Sequence, residues 1–320
     1  MKPKTHFSQL SSYLGFAGLA LLLALTVVCS RQPKDAASAA VVTQATFNNP
    51  DEAGQALLSA AQKSDAAELA KVVGTKAATF LSSGDALEDK AAMESFARKY
   101  NQMNRWVLMT DGSQVLHVGA DNYEFPIPLV KDSSAKWQFD AVAGQEEVTA
   151  RNIGRNELLA IDAVYALANA EEIYVQSPRN GNSDRQYTQT IISTPGKHDG
   201  LFWEVPAGEP ASPLGRVNEF MKALSVVGPG EPQVFDGYSF RILSEQGDQA
   251  KGGAKDYVVN GKLTGFAIIA TPVKYRETGI MTFVLNREGV MYQKDFGAQS
   301  GDAVSSIKSY NPDADWAYVE

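Results

Sequence analysis

The longest regular pattern in the chain lies between Glu146 and Gln176, where it predicts one uninterrupted helix. The stretch is rich in Ala, Leu, Glu and Arg, which favour helices, and contains no proline. Glu146 and Glu147 stand at its start, where carboxylates stabilise the positive end of the helix dipole, and Pro178 follows its end. About thirty residues at roughly 1.5 Å each make a helix of about 45 Å.

The second half of this helix is apolar around most of its circumference. Its apolar positions are Leu158, Leu159, Ile161, Val164, Tyr165, Leu167, Ile173, Tyr174 and Val175. A narrow polar stripe interrupts them at Arg155, Asp162, Asn169 and Gln176. A helix that is apolar on most sides is buried on most sides, so we expect surrounding structure to leave only the stripe exposed.

The segment before this helix, residues 47–143, has a different pattern, with short helical stretches followed by alternating runs. Helices are predicted from Pro50 behind an Asn49 cap, from Ser64 or Asp65 to Val73, and from Leu87 to Asn104. The alternating runs are Trp106–Thr110, Gln114–Val118, Tyr123–Val130 and Trp137–Asp140. In element order this resembles the cone-shaped folds of the nuclear-transport-factor-like kind, in which helices cover a curled antiparallel sheet.

The segment after the helix begins with a loop-rich stretch and ends as a predicted meander. Residues 177–234 are rich in Pro and Gly but also hold aromatic residues, which predicts an ordered excursion with a short helix at Leu214–Leu224. The predicted strands are Tyr238–Leu243, Asp256–Val259, Lys262–Leu263, Phe266–Pro272, Gly279–Leu285 and Val290–Lys294. Asn260-Gly261 is a strong hairpin signal, because both turn residues need positive φ.

These patterns predict an α+β protein. Residues 47–143 form an N-terminal α+β domain, with helices and a curled antiparallel sheet. Residues 144–320 form a second domain, in which the long helix packs on an antiparallel β-meander. Residues 31–46, which are rich in small side chains, form a linker in front of both.

Residues 1–30 have the features of an export signal. Lys2 and Lys4 precede an apolar run over residues 13–28, which is shorter than the roughly 20 residues of a membrane span. The only cysteine, Cys29, follows that run and is the expected lipid attachment point of a lipoprotein. The residue before it is Val28 where a small residue is usual, so a signal segment with a chance cysteine is the alternative.

Composition excludes several other classes. The 320 residues are 44% hydrophobic and 21% charged, which is typical of a globular protein. A net charge of −8 and the absence of a basic stripe argue against nucleic acid as a partner. His6, His117 and His198 are far apart and there is a single Cys, so no metal site and no cofactor is predicted.

The loop Ser193–Trp203 is the most suitable place for a functional site, because ordered loops often carry function. We expect Lys197, His198, Asp199 and Trp203 to form the rim of a concave binding surface. Of the three consecutive apolar residues Leu201, Phe202 and Trp203, at least one should be buried, Trp203 before the others. Catalytic candidates are His198, Asp199 and Glu204, although adjacent residues in a turn point in different directions. The alternative is that the loop only closes the edge of the second domain.

Several long strings of the chain resemble the bacterial envelope family catalogued as domain of unknown function 2950. They are SSGD (82–85), FPIPLV (125–130), GQEEVTARNIGRNEL (144–158), STPGKHDGLFW (193–203), GEPASPLG (208–215), KDYVVNGKLTGFA (255–267), TGIMTFVLNREGVMYQKDFG (278–297) and NPDADW (311–316). The resemblance implies an exported bacterial protein and supplies no activity. Residues 155–296 are also similar to the soluble part of type IV pilins and pseudopilins, although pilins carry their long helix at the N-terminus.

The leading functional hypothesis is therefore a non-enzymatic binding or assembly module of the cell envelope. We expect it to be exported and then periplasmic, either anchored through the lipid or the N-terminal segment, or secreted. Its expected partners are the membrane, through that anchor, and an envelope or surface protein whose identity the sequence does not give. The alternatives are an envelope hydrolase that uses the His198 loop and a pilin-like structural subunit.

Overall fold

The computed structural model describes residues 43–178, 184–205, 211–215, 233–299 and 305–319. Within these ranges the chain is a mixture of helices and antiparallel sheets, which confirms the predicted α+β class. The helices are α1 (Pro50–Lys63), α2 (Ala66–Val73), α3 (Thr75–Leu81), α4 (Ala86–Gln102) and α5 (Ala141–Tyr174), with a 3-10 turn at Gly297–Gln299. Among the described helices, none is both long enough and apolar enough to span a membrane.

Short polar side chains start the N-terminal helices, as the capping pattern predicts. The Asn49 side chain accepts a hydrogen bond from the backbone N–H of Glu52 at 2.9 Å, and Pro50 follows in the first turn. Asp65 caps α2 in the same way. Asp85 caps α4 by accepting from the N–H of Leu87. Each cap satisfies a backbone donor that the helix itself leaves free.

Helix α3 was not predicted from the sequence. It begins directly after Gly74, whose φ of +89° turns the chain between α2 and α3. Glycine adopts this left-handed conformation without steric cost, so two short helices can follow each other with one residue between them. A helix of seven residues is too short to produce a clear periodic pattern, which explains why the sequence did not reveal it.

The first sheet follows α4 and is antiparallel. Its strands are β1 (Asn104–Leu108), β2 (Gln114–Val118), β3 (Tyr123–Glu124), β4 (Leu129–Lys131) and β5 (Trp137–Phe139). They are ordered β1-β2-β4-β5, with β3 paired to β2. The predicted strand Tyr123–Val130 is wrong in its middle, because Pro126 and Pro128 have no N–H to donate and separate β3 from β4. One hydrophobic cluster joins this sheet to helices α1–α4.

Helix α5 begins at Ala141 instead of the predicted Glu146. Asp140 caps it by accepting from the N–H groups of Val142 and Ala143, at 2.9 and 3.1 Å. In its first turn, Gly144 lies against Ile127, and a Cβ at that glycine would come within 2.8 Å of the isoleucine side chain. The start of the helix is therefore fixed against the core of the N-terminal half.

The second half of the chain contains a six-stranded antiparallel sheet. Its strands, in spatial order, are β6 (Gln233–Phe235), β7 (Tyr238–Leu243), β12 (Ala267–Pro272), β13 (Met281–Asn286), β14 (Met291–Asp295) and β16 (Ala317–Tyr318). Two small sheets are formed by β8 (Glu245–Gln246), β9 (Lys255–Asp256) and β15 (Ser309–Tyr310), and by β10 (Val258–Val259) and β11 (Lys262–Leu263). Helix α5 packs on β7, β12 and β13, which confirms the predicted long helix on an antiparallel meander.

Two side chains in the middle of α5 fasten the helix to the chain that enters β13. The Asn156 side-chain amide donates to the Thr278 carbonyl at 3.0 Å. The Glu157 carboxylate accepts from the N–H groups of Ile280 and Met281, at 2.9 and 3.0 Å. These bonds satisfy backbone groups just before the strand and at its first residue, Met281, so they fix where β13 begins relative to the helix.

The buried face of α5 is narrower than the sequence suggested. Val164 and Leu167 are fully buried in the core beneath the sheet, and Ile161 is partly buried against it. The predicted polar stripe is exposed. Apolar side chains beside it are exposed as well, namely Leu158 at 67%, Tyr165 at 44% and Ile173 at 39%. The helix thus covers the sheet with one face and leaves the opposite face in solvent.

Two expectations from the sequence stay predictions. One is the division into two domains at residues 47–143 and 144–320. The described residues form a single compact unit, in which α5 contacts elements of both halves, so the contacts do not divide the chain at residue 144. The likeness of the second half to pilins is the other.

Most of the helix expected at Leu214–Leu224 lies outside the described residues, which end at Gly215 and resume at Gln233.

The buried face of α5 can be tested with a pair of leucines from the same helix. Leu167→Ala should lower the free energy of unfolding by roughly 2–5 kcal/mol, because it leaves a cavity in a closed core. Leu158→Ala is the matched control and should cost less than about 0.5 kcal/mol, because its side chain is already in solvent. Urea denaturation measures both, and equal losses would contradict the assignment of the two faces.

Candidate functional site

A half-open groove lies among the N-terminal helices, with a cavity volume of about 620 Å³. It follows helix α4 from Ala86 to Lys99, so its length is about 20 Å at 1.5 Å per residue. Helices α1, α2 and α3 supply the facing walls, and Phe125 and Pro126 lie at the end near Lys99. Pockets that hold small ligands usually measure roughly 300–1,000 Å³, so the groove has an ordinary size for one.

The lining is mainly apolar because each helix turns one apolar stripe toward the groove. On α4 the stripe runs through Met93 and Phe96, which are spaced by a helical turn. Facing residues come from the other helices, namely Leu57, Ala61, Leu69, Ala78 and Leu81. Several of these side chains are only partly buried, so the stripes do not fully close on each other. The groove is the space left between them.

One end of the groove is shaped by the turn between α3 and α4, which carries the string SSGD. The Asp89 carboxylate accepts hydrogen bonds from the Ser82 hydroxyl at 2.5 Å and from the N–H and hydroxyl of Ser83 at 2.7 and 2.9 Å. These bonds hold the pKa of Asp89 below its usual value, and the bond from the Ser82 hydroxyl has the largest effect. The aspartate is therefore used to fix the turn and its charge is satisfied within the protein.

The other end of the groove holds an ion pair beside an aromatic ring. The Lys99 ammonium lies 2.6 Å from an Asp121 carboxylate oxygen and 5.0 Å from the centre of the Tyr123 ring. The hydrogen bond from Lys99 lowers the pKa of Asp121. Arg151 of α5 approaches the same ring at 5.8 Å. A lysine and an arginine thus flank Tyr123 just outside the apolar part of the groove.

The remaining charge in the lining is Lys90, whose ammonium lies 3.9 Å from a Glu94 oxygen one turn further along α4. Of the described lining residues, Asp89, Lys90 and Lys99 carry charge, and each has a partner of its own. Ser64 and Ser95 add hydroxyl groups to the lining. The groove therefore offers an apolar interior, hydroxyls and a few charged groups at its edge that already have partners.

The loop chosen from the sequence, Ser193–Trp203, is ordered and lies at the end of α5. Lys197 and His198 are exposed, as is Glu204 just beyond the loop, whereas Asp199 and Trp203 are partly buried. The His198 and Trp203 rings stack with their centres 4.3 Å apart, so two predicted rim residues meet. The role of this loop as a binding rim, and of His198, Asp199 and Glu204 as catalytic groups, stays a prediction.

Hydrogen bonds between side chains and backbone groups hold this loop in place. One Asp199 carboxylate oxygen accepts from the Thr194 N–H at 2.8 Å. The Asp199 carbonyl accepts from the Thr188 hydroxyl at 2.6 Å, and the His198 carbonyl accepts from the Tyr174 hydroxyl at 2.9 Å. In the described part of the chain, these contacts of Asp199 hold the turn together.

The apolar end of the loop is arranged differently from the prediction. Leu201, not Trp203, is the fully buried residue, and Trp203 remains partly accessible beside His198. The Leu201 N–H donates to the Thr190 carbonyl and the Phe202 N–H donates to the Ile191 carbonyl, and this pairing holds Leu201 in the core. The pairing requires glycine at position 200, because a Cβ there would come within 2.7 Å of the Ser193 nitrogen.

Glu171, which the sequence did not single out, is fully buried on the inner face of α5. One carboxyl oxygen accepts from the Thr188 N–H at 3.2 Å, and the other has no hydrogen-bond partner. Burial raises the pKa of Glu171 well above its usual value, and the neighbouring Glu172 adds to the effect. The neutral acid is therefore favoured, because a buried carboxylate would lack solvation.

The neighbouring Glu172 points the other way and makes surface contacts. Its carboxylate accepts from the Tyr187 hydroxyl and from the Arg287 guanidinium, both at 3.0 Å. Arg287 also lies over the Tyr187 ring at 5.1 Å. Burial, followed by the bond to Glu172, raises the pKa of Tyr187 to about 12. The two adjacent glutamates thus bond α5 to the segment Tyr187–Thr188, Glu171 from the buried side of the helix and Glu172 from the solvent side.

A signal for Glu171 was present in the sequence. It lies on the same face of α5 as Val164, Leu167 and Tyr174, at the three- and four-residue spacing of a buried stripe. The groove gave no comparable signal, since its lining residues have the spacing of any core-facing helix. No group of three His, Cys, Asp or Glu side chains placed to hold a metal ion occurs within the described ranges.

The fold and the groove together define an α+β protein with an apolar recess in its N-terminal half. The chain belongs to the family described as protein of unknown function (DUF2950), whose sequence model matches residues 44–319. This match confirms the resemblance carried by strings such as SSGD and GQEEVTARNIGRNEL. Neither the search of curated proteins nor the search of solved structures gave a match.

The burial of Glu171 has a consequence for stability as a function of pH. Because its pKa is raised on folding, wild type should lose stability as the pH rises above the ordinary value of 4.5, where only the unfolded chain ionises. The side chain in Glu171→Gln does not ionise in either the folded or the unfolded state, so this variant does not lose stability in that way. Its stability relative to wild type should therefore increase from pH 4 upward and reach a plateau once the folded-state carboxyl ionises.

Urea denaturation across a pH series measures this difference. Glu146→Gln, an exposed glutamate at the start of the same helix, is the control, and its curve should run parallel to that of wild type. A difference between Glu171→Gln and wild type that does not change with pH would contradict a neutral buried acid.

Proposed function

We propose that this protein is a non-enzymatic binding module of the bacterial cell envelope that holds an apolar small molecule in the groove along α4. The observation that carries the proposal is the groove itself, with its volume of about 620 Å³ and its apolar lining. Ligand sites are concave, mostly apolar and supplied with a few polar groups, and this groove has each of these features.

The helices around the groove support a holding role. Helices α1, α2 and α4 each begin at a side-chain cap, and the turn before α4 is fixed by Asp89. A site whose walls are already in place loses little conformational entropy when a ligand binds, which favours affinity. The mouth of the groove has small exposed residues, such as Ala66, Ala86 and Ala92, which leave room for entry.

An envelope location is supported by the N-terminal sequence. The basic start, the apolar run over residues 13–28 and Cys29 have the order of a lipoprotein signal, and Cys29 lies outside the described residues. In this proposal the lipid holds the protein at a membrane, and the chain between Cys29 and Gln44 acts as a tether, because the Gln44 side chain and the Ala45 N–H are already bonded to the Phe139 and Lys71 carbonyls. The groove would then face the periplasm or the cell surface, where an envelope partner can exchange a ligand with it.

Filling the mouth of the groove tests the binding function. Native mass spectrometry of the full chain, purified from its envelope, should show one bound hydrophobic molecule in wild type. Ala92→Trp should reduce that bound fraction by about tenfold, because the indole occupies the groove. Ala91→Trp is the matched control, since it is an exposed alanine on the same helix that does not line the groove.

Two results would contradict the binding proposal. One is a wild-type protein without any bound hydrophobic molecule. The other is an equal loss in the two tryptophan variants, which would show that the effect comes from the helix and not from the groove. Circular dichroism of both variants verifies that α4 remains folded.

Anchoring is tested separately at Cys29. Wild-type cells that are fed a radioactive fatty acid should incorporate label into the protein, because the thiol is the attachment point. Cys29→Ala should remove the label and release the protein from the membrane fraction. Wild-type protein that takes up no label would contradict lipid anchoring while leaving the binding proposal intact.

A further inference from the structure

We infer that the ligand of the groove is an uncharged single-chain lipid, with an acyl chain along α4 and a head that carries hydroxyl or ester groups. This inference rests on the proposed binding function and names its ligand class. It follows from the shape of the groove and from the way in which its charged residues are neutralised.

The shape favours a chain. The lining residues of α4 extend over four helical turns, from Ala86 through Met93 and Phe96 to Lys99, so the recess is about 20 Å long. A volume of about 620 Å³ spread over that length leaves a narrow cross-section. An extended hydrocarbon chain fills such a space, whereas a compact ring system would leave much of the length empty. Met93 lies midway, and its flexible side chain adapts to a chain-like ligand.

The charges of the lining disfavour an ionised head inside the groove. Asp89 accepts three hydrogen bonds from Ser82 and Ser83 and is committed to the turn. Lys99 is held by Asp121 at 2.6 Å, and Lys90 is next to Glu94 at 3.9 Å. An anionic head would have to displace one of these carboxylates or remain beside it. An unpaired charge in an apolar site is costly, so either arrangement weakens binding.

A positively charged head meets the same obstacle. Asp89 is bonded to Ser82 and Ser83, and Asp121 is paired with Lys99, so both carboxylates already have partners that a cationic head would have to displace. An uncharged polar head has no such cost, and the hydroxyls of Ser64 and Ser95 are groups in the lining that can exchange hydrogen bonds with an ester or a hydroxyl. Lys90 and Lys99 also contribute apolar stems to the lining, and their ammonium groups are paired with Glu94 and Asp121.

Two photoreactive probes of equal chain length test the inference on the full chain in its own membrane vesicles. One is a monoacylglycerol and the other is the corresponding fatty acid, each with a diazirine in the chain, at a pH where the fatty acid is ionised. The monoacylglycerol should label the α4 peptide about tenfold more than the fatty acid does, because only the carboxylate meets the paired charges. Equal or stronger labelling by the fatty acid would overturn the inference.

A variant that releases one lysine identifies the cause of the selectivity. Asp121→Asn removes the partner of Lys99, so fatty-acid labelling of α4 should rise several-fold while monoacylglycerol labelling stays unchanged. Glu88→Gln removes an equal charge from an exposed site on α4 that does not line the groove, and it should change neither probe. If Asp121→Asn leaves fatty-acid labelling unchanged, charge pairing does not select the ligand.

The same experiment separates failure of the inference from failure of the proposed function. If neither probe labels α4 in wild type while native mass spectrometry still shows a bound hydrophobic molecule, only the inference of a chain-like lipid fails, and if neither measurement shows a ligand, the proposed function fails as well. If both probes label it equally, the groove binds apolar chains and only the preference for an uncharged head is refuted. Labelling of each variant by the monoacylglycerol also shows that its groove remains folded.

Discussion

The burial of one face of α5 is the constraint on which the rest of the structure depends. At its start, Gly144 packs against Ile127 of the N-terminal core. At its middle, Glu157 accepts from the backbone before β13 and fixes that strand. Near its end, Leu167 fills the core beneath the sheet and Glu171 holds the Thr188 backbone. The helix therefore contacts the N-terminal core at its start and forms part of the second core along its length.

That constraint also accounts for the unusual chemistry of Glu171. A carboxyl group in this position gives up solvation and receives a single hydrogen bond in return. The arrangement is tolerated because the bond satisfies a buried backbone donor, Thr188 N–H, which would otherwise be left without a partner. The loop with His198 and Asp199 is then joined to the helix through Thr188 and Tyr174. Its position is therefore determined by the helix and not by its own sequence alone.

Periodicity was sufficient to predict most of the fold. Local sequence was enough to predict the long helix, the caps at Asn49 and Asp65, and strands such as Tyr238–Leu243. Local pattern failed where two elements meet. It did not predict α3, whose start depends on the positive φ of Gly74. It also did not predict the break between β3 and β4, because the alternation of apolar residues continues through Pro126 and Pro128, which have no N–H for strand pairing.

The candidate site was harder to predict for a related reason. Met93, Phe96 and Leu57 have the spacing of core residues, and nothing in their spacing shows that the facing helices stop short of full contact. A recess is a property of the distance between elements, which a single sequence does not encode in any local pattern. The loop at His198 was visible because Pro, Gly and aromatic residues are conspicuous there, although that composition did not reveal which side chain is buried.

On α5, Gly154 lies on the face turned to solvent, between Ile153 and Asn156, which are both buried. Gly154 is exposed, and no atom beyond the helix itself lies within 4 Å of the place where its Cβ would be. Glycine weakens a helix interior by about 1 kcal/mol relative to alanine. The helix backbone is therefore locally weak at Gly154, and the hydrogen bonds of Asn156 to the Thr278 carbonyl and of Glu157 to the Ile280 and Met281 N–H groups offset that weakness within the same turn.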